Sequence, residues 1–372
     1  MSAYCSMMHG GLSLDFTFTD GQDTGASHCC LLGPTSYFQV DSNTDFFNDS
    51  GFKFRRDLNK KNIWDPACYN CQALELAHQP SMRTGMNDGL KMSEKTDLSG
   101  PARIDLMFDI SCNLACRSCG PELSTFWQKH LKNNGLWTKP VFSANNKDRV
   151  IKALSSLDLS NLRQLVFCGG ETLLGKEYWE VTRWLADNVP NAKDQLTICF
   201  QTNGTQSIPQ KYFDLIDRFY LVKLHISLDG AQERFEYIRW PASWNQVTDN
   251  ILNLKDTLPS NVMFVVEETI SIMNLYYQEE LDKWVKENFA TNREGDITNH
   301  TRHLAHGYFS LENASTEYKQ AVNQSYFKKN WQENPQAIKE MIIKIKKFDQ
   351  FRNQSFAKTF PELAEFYSRY LG

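Results

Sequence analysis

The sequence predicts an α/β protein: a partial parallel barrel of six strand–helix units behind a small β-rich N-terminal module. Three observations carry that reading. From about residue 101, apolar runs of strand length alternate with amphipathic helical stretches, the pattern of a parallel sheet covered by helices. About six such units fit before residue 311, too few to close an eight-unit barrel. Residues 1–75 have another texture, with five cysteines, many turn residues and the strand-like alternation Leu12-Ser-Leu-Asp-Phe-Thr-Phe18.

The barrel units follow in order. Ile104–Phe108 reads as the first strand, then a cysteine-bearing loop and a helix over Ser124–Leu131. Gln164–Phe167 is the second strand, with a helix over Tyr178–Asn188. Leu196–Phe200, Leu221–Ile226 and Val262–Val266 continue the series, with helices at Lys211–Asp217, Trp244–Lys255 and Glu279–Glu287. Residues 76–100 hold Pro80, Gly85 and Gly89 and read as a connector without periodicity. Beyond Asn334 the chain is helical, with Met341, Ile342, Ile345 and Phe348 spaced to face a core. The expected divisions are 1–78, 79–100, 101–311 and 312–372.

Composition narrows the function classes. The 372 residues carry a formal charge of −4, so nothing general draws the chain to phosphate backbones or anionic membranes. No apolar run approaches the roughly 18 residues that span a bilayer, and Met1–Cys5 does not open a signal peptide. A cytoplasmic location is expected, and there ten cysteines call for metal or cluster binding rather than disulfides.

Cys112-Asn-Leu-Ala-Cys116-Arg-Ser-Cys119 places three thiolates in one loop directly after a strand. C-x3-C-x2-C lets a loop wrap three corners of a cubane and leave the fourth iron without a protein ligand, and thiolates are the soft donors such clusters take. A structural zinc site is the rival reading, although it ordinarily takes four protein ligands. Three further segments follow strands: Cys168-Gly-Gly-Glu-Thr172, Gln201-Thr-Asn-Gly204 and Ser227-Leu-Asp-Gly230, the last followed by Glu236-Tyr-Ile-Arg239. Each has a plain reading as a strand-to-helix turn or a surface arginine. Together, in this order, they make the chain resemble the radical S-adenosylmethionine (SAM) superfamily.

The resemblance implies a partial (β/α)6 radical SAM barrel whose [4Fe–4S] cluster sits on Cys112, Cys116 and Cys119. It also implies SAM contacts from Gly169, Gly170, Glu171, Thr202, Asn203, Ser227, Asp229 and Arg239. It implies reductive cleavage of SAM to a 5′-deoxyadenosyl radical that abstracts hydrogen from a peptide or small metabolite, with an electron donor such as a flavodoxin or ferredoxin. Ser271–Asn274 and His306–Phe309 are weaker candidates for the adenine or substrate side, with core or loop packing the plainer reading.

The N-terminal cysteines Cys5, Cys29-Cys30 and Cys68-x-x-Cys71, followed by Glu75 and Ser81-Met-Arg-Thr84, resemble a twitch domain, the short form of the SPASM domain. The segment Phe52–Arg56 matches that module's helix. The resemblance implies an auxiliary [4Fe–4S] cluster on Cys5, Cys68, Cys71 and one of Cys29 and Cys30, Cys29 being favoured. Most relatives carry this module after the barrel, whereas here it precedes it. A four-cysteine zinc knuckle stays open for these residues. Cys168 and Cys199 sit in apolar strands and read as core, and His9, His78 and His225 as structural histidines. The other functions left open are a non-catalytic iron–sulfur or zinc binding module and a nucleic-acid-modifying enzyme of the same superfamily.

Overall fold

The structure, a computed structural model, describes residues 2–17, 23–29, 36–39, 45–76, 81–90, 98–141, 146–289, 299–327 and 331–371. Among them nine strands form one sheet. The N-terminal region gives β1 (Gly11–Asp15), β2 (Asp23–Ser27) and β3 (Ser36–Gln39); β4 (Arg103–Met107), β5 (Gln164–Cys168), β6 (Thr197–Thr202), β7 (Leu221–Ser227), β8 (Val262–Ile270) and β9 (Asn299–Leu304) follow. From β4 to β9 each strand pairs in parallel with the next, giving the six parallel strands expected from the alternation.

The N-terminal strands continue this sheet rather than making their own. β1 pairs in parallel with β4, from Gly11 opposite Arg103 to Asp15 opposite Met107, and β2 and β3 add antiparallel beyond it. The boundary expected at residue 78 therefore does not interrupt the sheet. Phe18, the last residue of the strand-like alternation from Leu12, lies outside the described residues.

Helices α1 (Ser6–Gly10), α2 (Ser50–Lys60), α3 (Tyr69–Leu76) and α4 (Met82–Leu90) accompany the N-terminal strands. The expected connector thus contains a helix. Gly85 and Gly89 inside α4 lower its helix propensity and hide it from a pattern reading. In the barrel come α5 (Thr125–Asn133), α6 (Lys147–Ser155), α7 (Lys176–Asn188), α8 (Ala192–Gln195), α9 (Phe213–Ile216), α10 (Gln232–Ile238), α11 (Trp244–Thr257) and α12 (Gln278–Phe289). The sequence reading does not anticipate α6, whose apolar face is only Val150, Ala153 and Leu154.

Alternation decides which face of each strand meets these helices. In β7, Val222, Leu224 and Ile226 are buried in the main core, while Lys223, His225 and Ser227 are half-buried on the opposite face. Each fully buried Leu, Ile or Phe contributes about 1.5–3 kcal/mol.

After α13 (Thr316–Ala321), α14 (Pro335–Arg352) runs from an Asn334 cap, whose side chain accepts from the Ala337 amide, to a left-handed Asn353. Met341, Ile342 and Ile345, spaced to face a core, pack with Ile338, Tyr318, Phe356 and Tyr367 into a second core, while Phe348 packs with Ala115 and Trp127. The helix also does something the spacing does not show. Asp349 accepts from Arg117 at 2.7 Å and Tyr237 at 2.6 Å, and Arg352 donates to the Ala115 carbonyl at 2.8 Å, so α14 holds the cysteine loop. The Arg117 side chain is fully buried beneath this contact. Asp349→Ala leaves that cation without its counter-charge and is expected to cost about 3–5 kcal/mol, read as a lower urea midpoint for the anaerobically reconstituted chain.

Candidate functional site

The cysteine loop leaves β4 through a tight turn in which the Asp109 carboxylate accepts from the Ser111 amide and hydroxyl, both at 2.8 Å. Most of the loop is then tied down. The Cys112 amide donates to Thr125 Oγ1 at 3.2 Å, Trp127 Nε1 donates to the Cys116 carbonyl at 2.9 Å, and the Ala115 and Arg117 amides donate to the Trp240 and Ile238 carbonyls. Cys112, Cys116 and Cys119 lie close enough to act on one another electrostatically. Burial, with the neighbouring thiols adding to it, pushes Cys116 far up and Cys119 up to about 12. Left alone, these sulfurs stay protonated; a soft metal centre removes the protons on binding.

The turn after β5 packs against this loop backbone to backbone. The Gly170 amide donates to the Asp109 carbonyl at 3.2 Å and the Glu171 amide to the Ser111 carbonyl at 2.7 Å. A Cβ on Gly170 would sit 2.2 Å from the Ser111 oxygen, and Gly169, at φ +126°, would place one 2.2 Å from the Asp109 oxygen. Both glycines are therefore required by contact between the two loops.

Glu171 is fully buried. Its carboxylate accepts from the Leu173 amide at 3.0 Å, Thr202 Oγ1 at 2.7 Å and the Asn203 amide at 2.6 Å. Burial raises its pKa, against these hydrogen bonds. The side chain thus fixes the turn after β6, and in this arrangement its oxygens are engaged by protein donors. Asn203 in turn donates to Asn113 Oδ1 at 2.9 Å, with its Nδ2 3.9 Å from Cys112 Sγ.

After β7, Asp229 and Arg239 form a buried ion pair at 2.9 Å. The Thr269 amide donates to Asp229 at 2.8 Å, and Arg239 Nη1 lies 3.9 Å from Cys116 Sγ. Arg239 Nε is buried with no hydrogen-bond partner among the described residues. Ser227 ends β7 half-buried, with Glu267 as its register partner on β8. The turns after β5, β6 and β7 therefore converge on the cysteine loop. Three soft thiols, with a buried guanidinium whose Nη1 lies against Cys116, fit an anionic cluster.

Sequence reasoning missed Asn113 and Thr205, which bond at 2.8 Å and link the cysteine loop to the turn after β6. Asn274 belongs to a segment considered for the adenine side; its amide holds the Asp229 carbonyl at 3.2 Å and the Thr269 carbonyl at 2.9 Å. Phe309 is buried in the C-terminal core, whereas His306 and Tyr308 are exposed.

Cys5, Cys29, Cys68 and Cys71 line one cavity of about 40 Å³, together with His28 and Arg83. Cys30 lies outside the described residues. The Cys5 segment is clasped by α2 and α4: Asn59 accepts from the Cys5 amide at 3.1 Å, and Asn87 accepts from the Ser6 amide at 2.7 Å. Burial, Asp65 and the neighbouring Cys5 and Cys71 push Cys68 up to about 12. Among the described residues, no three His, Cys, Asp or Glu side chains converge as a site for a single metal ion. Four thiols around one cavity form a donor set that could hold a cluster.

Cys199 is buried, as expected, but it lies beside His225, whose Nδ1 sits 2.7 Å from Glu267. Burial opposes the imidazolium, and contacts with Cys199 and Glu267 outweigh it, raising His225 to about 9. The raised value stabilises the fold fully below the unfolded value of about 6.5, and this is lost as pH rises through 9. Urea denaturation at pH 6.5 and 9.5 is expected to show the wild type losing on the order of 3 kcal/mol more than His225→Gln.

No curated protein matches the chain. Among solved structures, native anSMEcpe with bound AdoMet and Cp18Cys peptide is 18% identical, with a TM-score of 0.39, over 66% of this chain and 58% of that one. Streptococcus suis SuiB bound to precursor peptide SuiA is 12% identical, with a TM-score of 0.39, over 98% of this chain and 75% of that one. The chain thus covers less than two thirds of the length of the first of these. Residues 110–276, which enclose the cysteine loop and the turns after β5, β6 and β7, match the family model of the Radical SAM superfamily.

Proposed function

We propose that the chain is a radical SAM enzyme whose Cys112, Cys116 and Cys119 hold a [4Fe–4S] cluster beside a SAM site. The observation that carries the reading is the convergence of the turns after β5, β6 and β7 on the three-cysteine loop, with Arg239 against Cys116. When bound, the cluster and SAM supply reductive cleavage to methionine and a hydrogen-abstracting 5′-deoxyadenosyl radical. The protein's part is binding and orientation. Gly169 and Gly170 let the turn approach closely, so that backbone carbonyls are the acceptors left for the ammonium group of SAM. Glu171 holds Thr202 and Asn203 in place, and Ser227, Asp229 and Arg239 form the ribose and carboxylate side. Arg239, already charged and desolvated, is suited to a carboxylate.

The cavity of Cys5, Cys29, Cys68 and Cys71 supports a second, auxiliary cluster in an N-terminal twitch-like module. Coordination by all four thiolates assigns it to electron transfer rather than substrate binding. The substrate proposed is a peptide or small metabolite, on the family resemblance, and the electron donor a flavodoxin or ferredoxin. No described helix is long and apolar enough to cross a membrane.

Iron content after anaerobic reconstitution, paired with 5′-deoxyadenosine formation from SAM under reduction, tests the whole reading. About eight irons per chain and deoxyadenosine are expected; zinc without deoxyadenosine would replace the enzyme with a binding module. Cys116→Ala is expected to abolish deoxyadenosine formation while leaving the second cluster's spectrum. Cys71→Ala is expected to keep uncoupled SAM cleavage and lose substrate turnover. Unchanged product formation in that variant would remove the auxiliary cluster from the reaction.

A further inference from the structure

Arg83 lines the same cavity as Cys5, Cys29, Cys68 and Cys71. Its guanidinium is fixed on several sides. Nε donates to Glu75 Oε1 at 2.9 Å and Nη2 to the other Glu75 oxygen, while Nη1 donates to the Tyr4 carbonyl, one residue before Cys5. The group also lies 4.9 Å from the centre of the Trp64 ring. Ser81 steadies the carboxylate, donating to Glu75 Oε1 at 2.6 Å. The Glu75 and Ser81-x-Arg83 signature is thus one hydrogen-bonded unit, with side-chain exposures of only 9% for Arg83 and 7% for Glu75.

We infer that Arg83, positioned by Glu75, raises the reduction potential of the cluster on Cys5, Cys29, Cys68 and Cys71. This rests on the auxiliary-cluster reading. A guanidinium keeps its charge at every relevant pH, and behind water-excluding walls its field is weakly screened. Arg83 acts electrostatically on Cys5 and Cys71, whereas Glu75 lies outside the cavity lining. The cation therefore faces the sulfurs, and the carboxylate holds it from behind. Adding an electron to a thiolate-bound cluster adds negative charge, which a fixed neighbouring cation stabilises.

A second pair, beside Cys68, has the reverse character. Arg55 lies 3.4 Å from Asp65, and at Cys68 the carboxylate's effect exceeds the arginine's. Arg83 is thus the cation that dominates at its end of the cavity. Structural need alone explains the pair poorly, because a buried ion pair contributes little net stability over apolar side chains of the same volume.

The test is potentiometric titration followed by electron paramagnetic resonance on the anaerobically reconstituted full chain. Added SAM identifies the signal of the three-cysteine cluster. Arg83→Gln is expected to move the other midpoint to more negative potential, by about the tenfold change in oxidised-to-reduced ratio that corresponds to about 59 mV for one electron. Glu75→Gln is expected to move it the opposite way, and Arg83→Lys to stay near the wild type. Opposite shifts separate a field effect from mere loosening of the pocket. If Arg83→Gln loses the cluster, the other two variants decide. A midpoint unmoved by Glu75→Gln, or shifted in the same direction as in Arg83→Gln, overturns the inference and leaves the cluster reading intact. Failure of the wild type to form a second cluster overturns the cluster reading itself, and the inference with it.

Discussion

The carboxylate of Glu171 is the constraint on which the site depends. It is shut away from water and takes donors from its own turn and from the turn after β6. Its own amide is bonded to the cysteine loop. A buried carboxylate is tolerated only when such donors replace its hydration, so a shift of any one of these segments leaves a polar group unsatisfied. Three loops from three strands are thereby locked in one register, and the positions of Asn113, Asn203 and Cys112 follow from it.

Around that knot the chain closes from both ends. The C-terminal helix reaches back through Asp349 and Arg352 to residues between the cysteines. The N-terminal segment joins the sheet through β1 and carries its own four-cysteine cavity beside α2 and α4. The C-terminal contact is polar and buried and fixes geometry more than it adds stability, whereas β1 also brings Leu12 and Leu14 into the main core. The cysteine loop has no regular secondary structure, and the elements packed around it supply its rigidity.

Much of this was legible in the sequence because its signals are local. Five apolar runs marked β4 to β8, while the polar β9 (Asn299–Leu304) has no such run, and cysteine spacing marked the loop and the set that lines the N-terminal cavity. What escaped depends on the third dimension. No spacing shows that the close approach allowed by Gly169 and Gly170 is to carbonyl oxygens of the cysteine loop. Nor does the pattern show that the Glu171 carboxylate accepts from Thr202 Oγ1 and the Asn203 amide. His225 gained Glu267 as a partner from a strand 42 positions away in sequence. The helix over Met82–Leu90 hid behind two glycines, and nothing in a one-dimensional pattern announces that β1 lies beside β4.

That last pairing has an architectural consequence. A strand at the edge of a sheet exposes a row of unpaired backbone donors and acceptors that invites other chains. Here β1 covers the edge of β4, the strand that leads into the cysteine loop, and β2 and β3 carry the edge further away. A domain appended after a barrel can be trimmed without touching its sheet. This N-terminal region cannot, because cutting before residue 101 would strip β4 of a neighbour at the point where the loop is launched. The N-terminal strands and the barrel strands are therefore a single sheet, whose edge lies at β3.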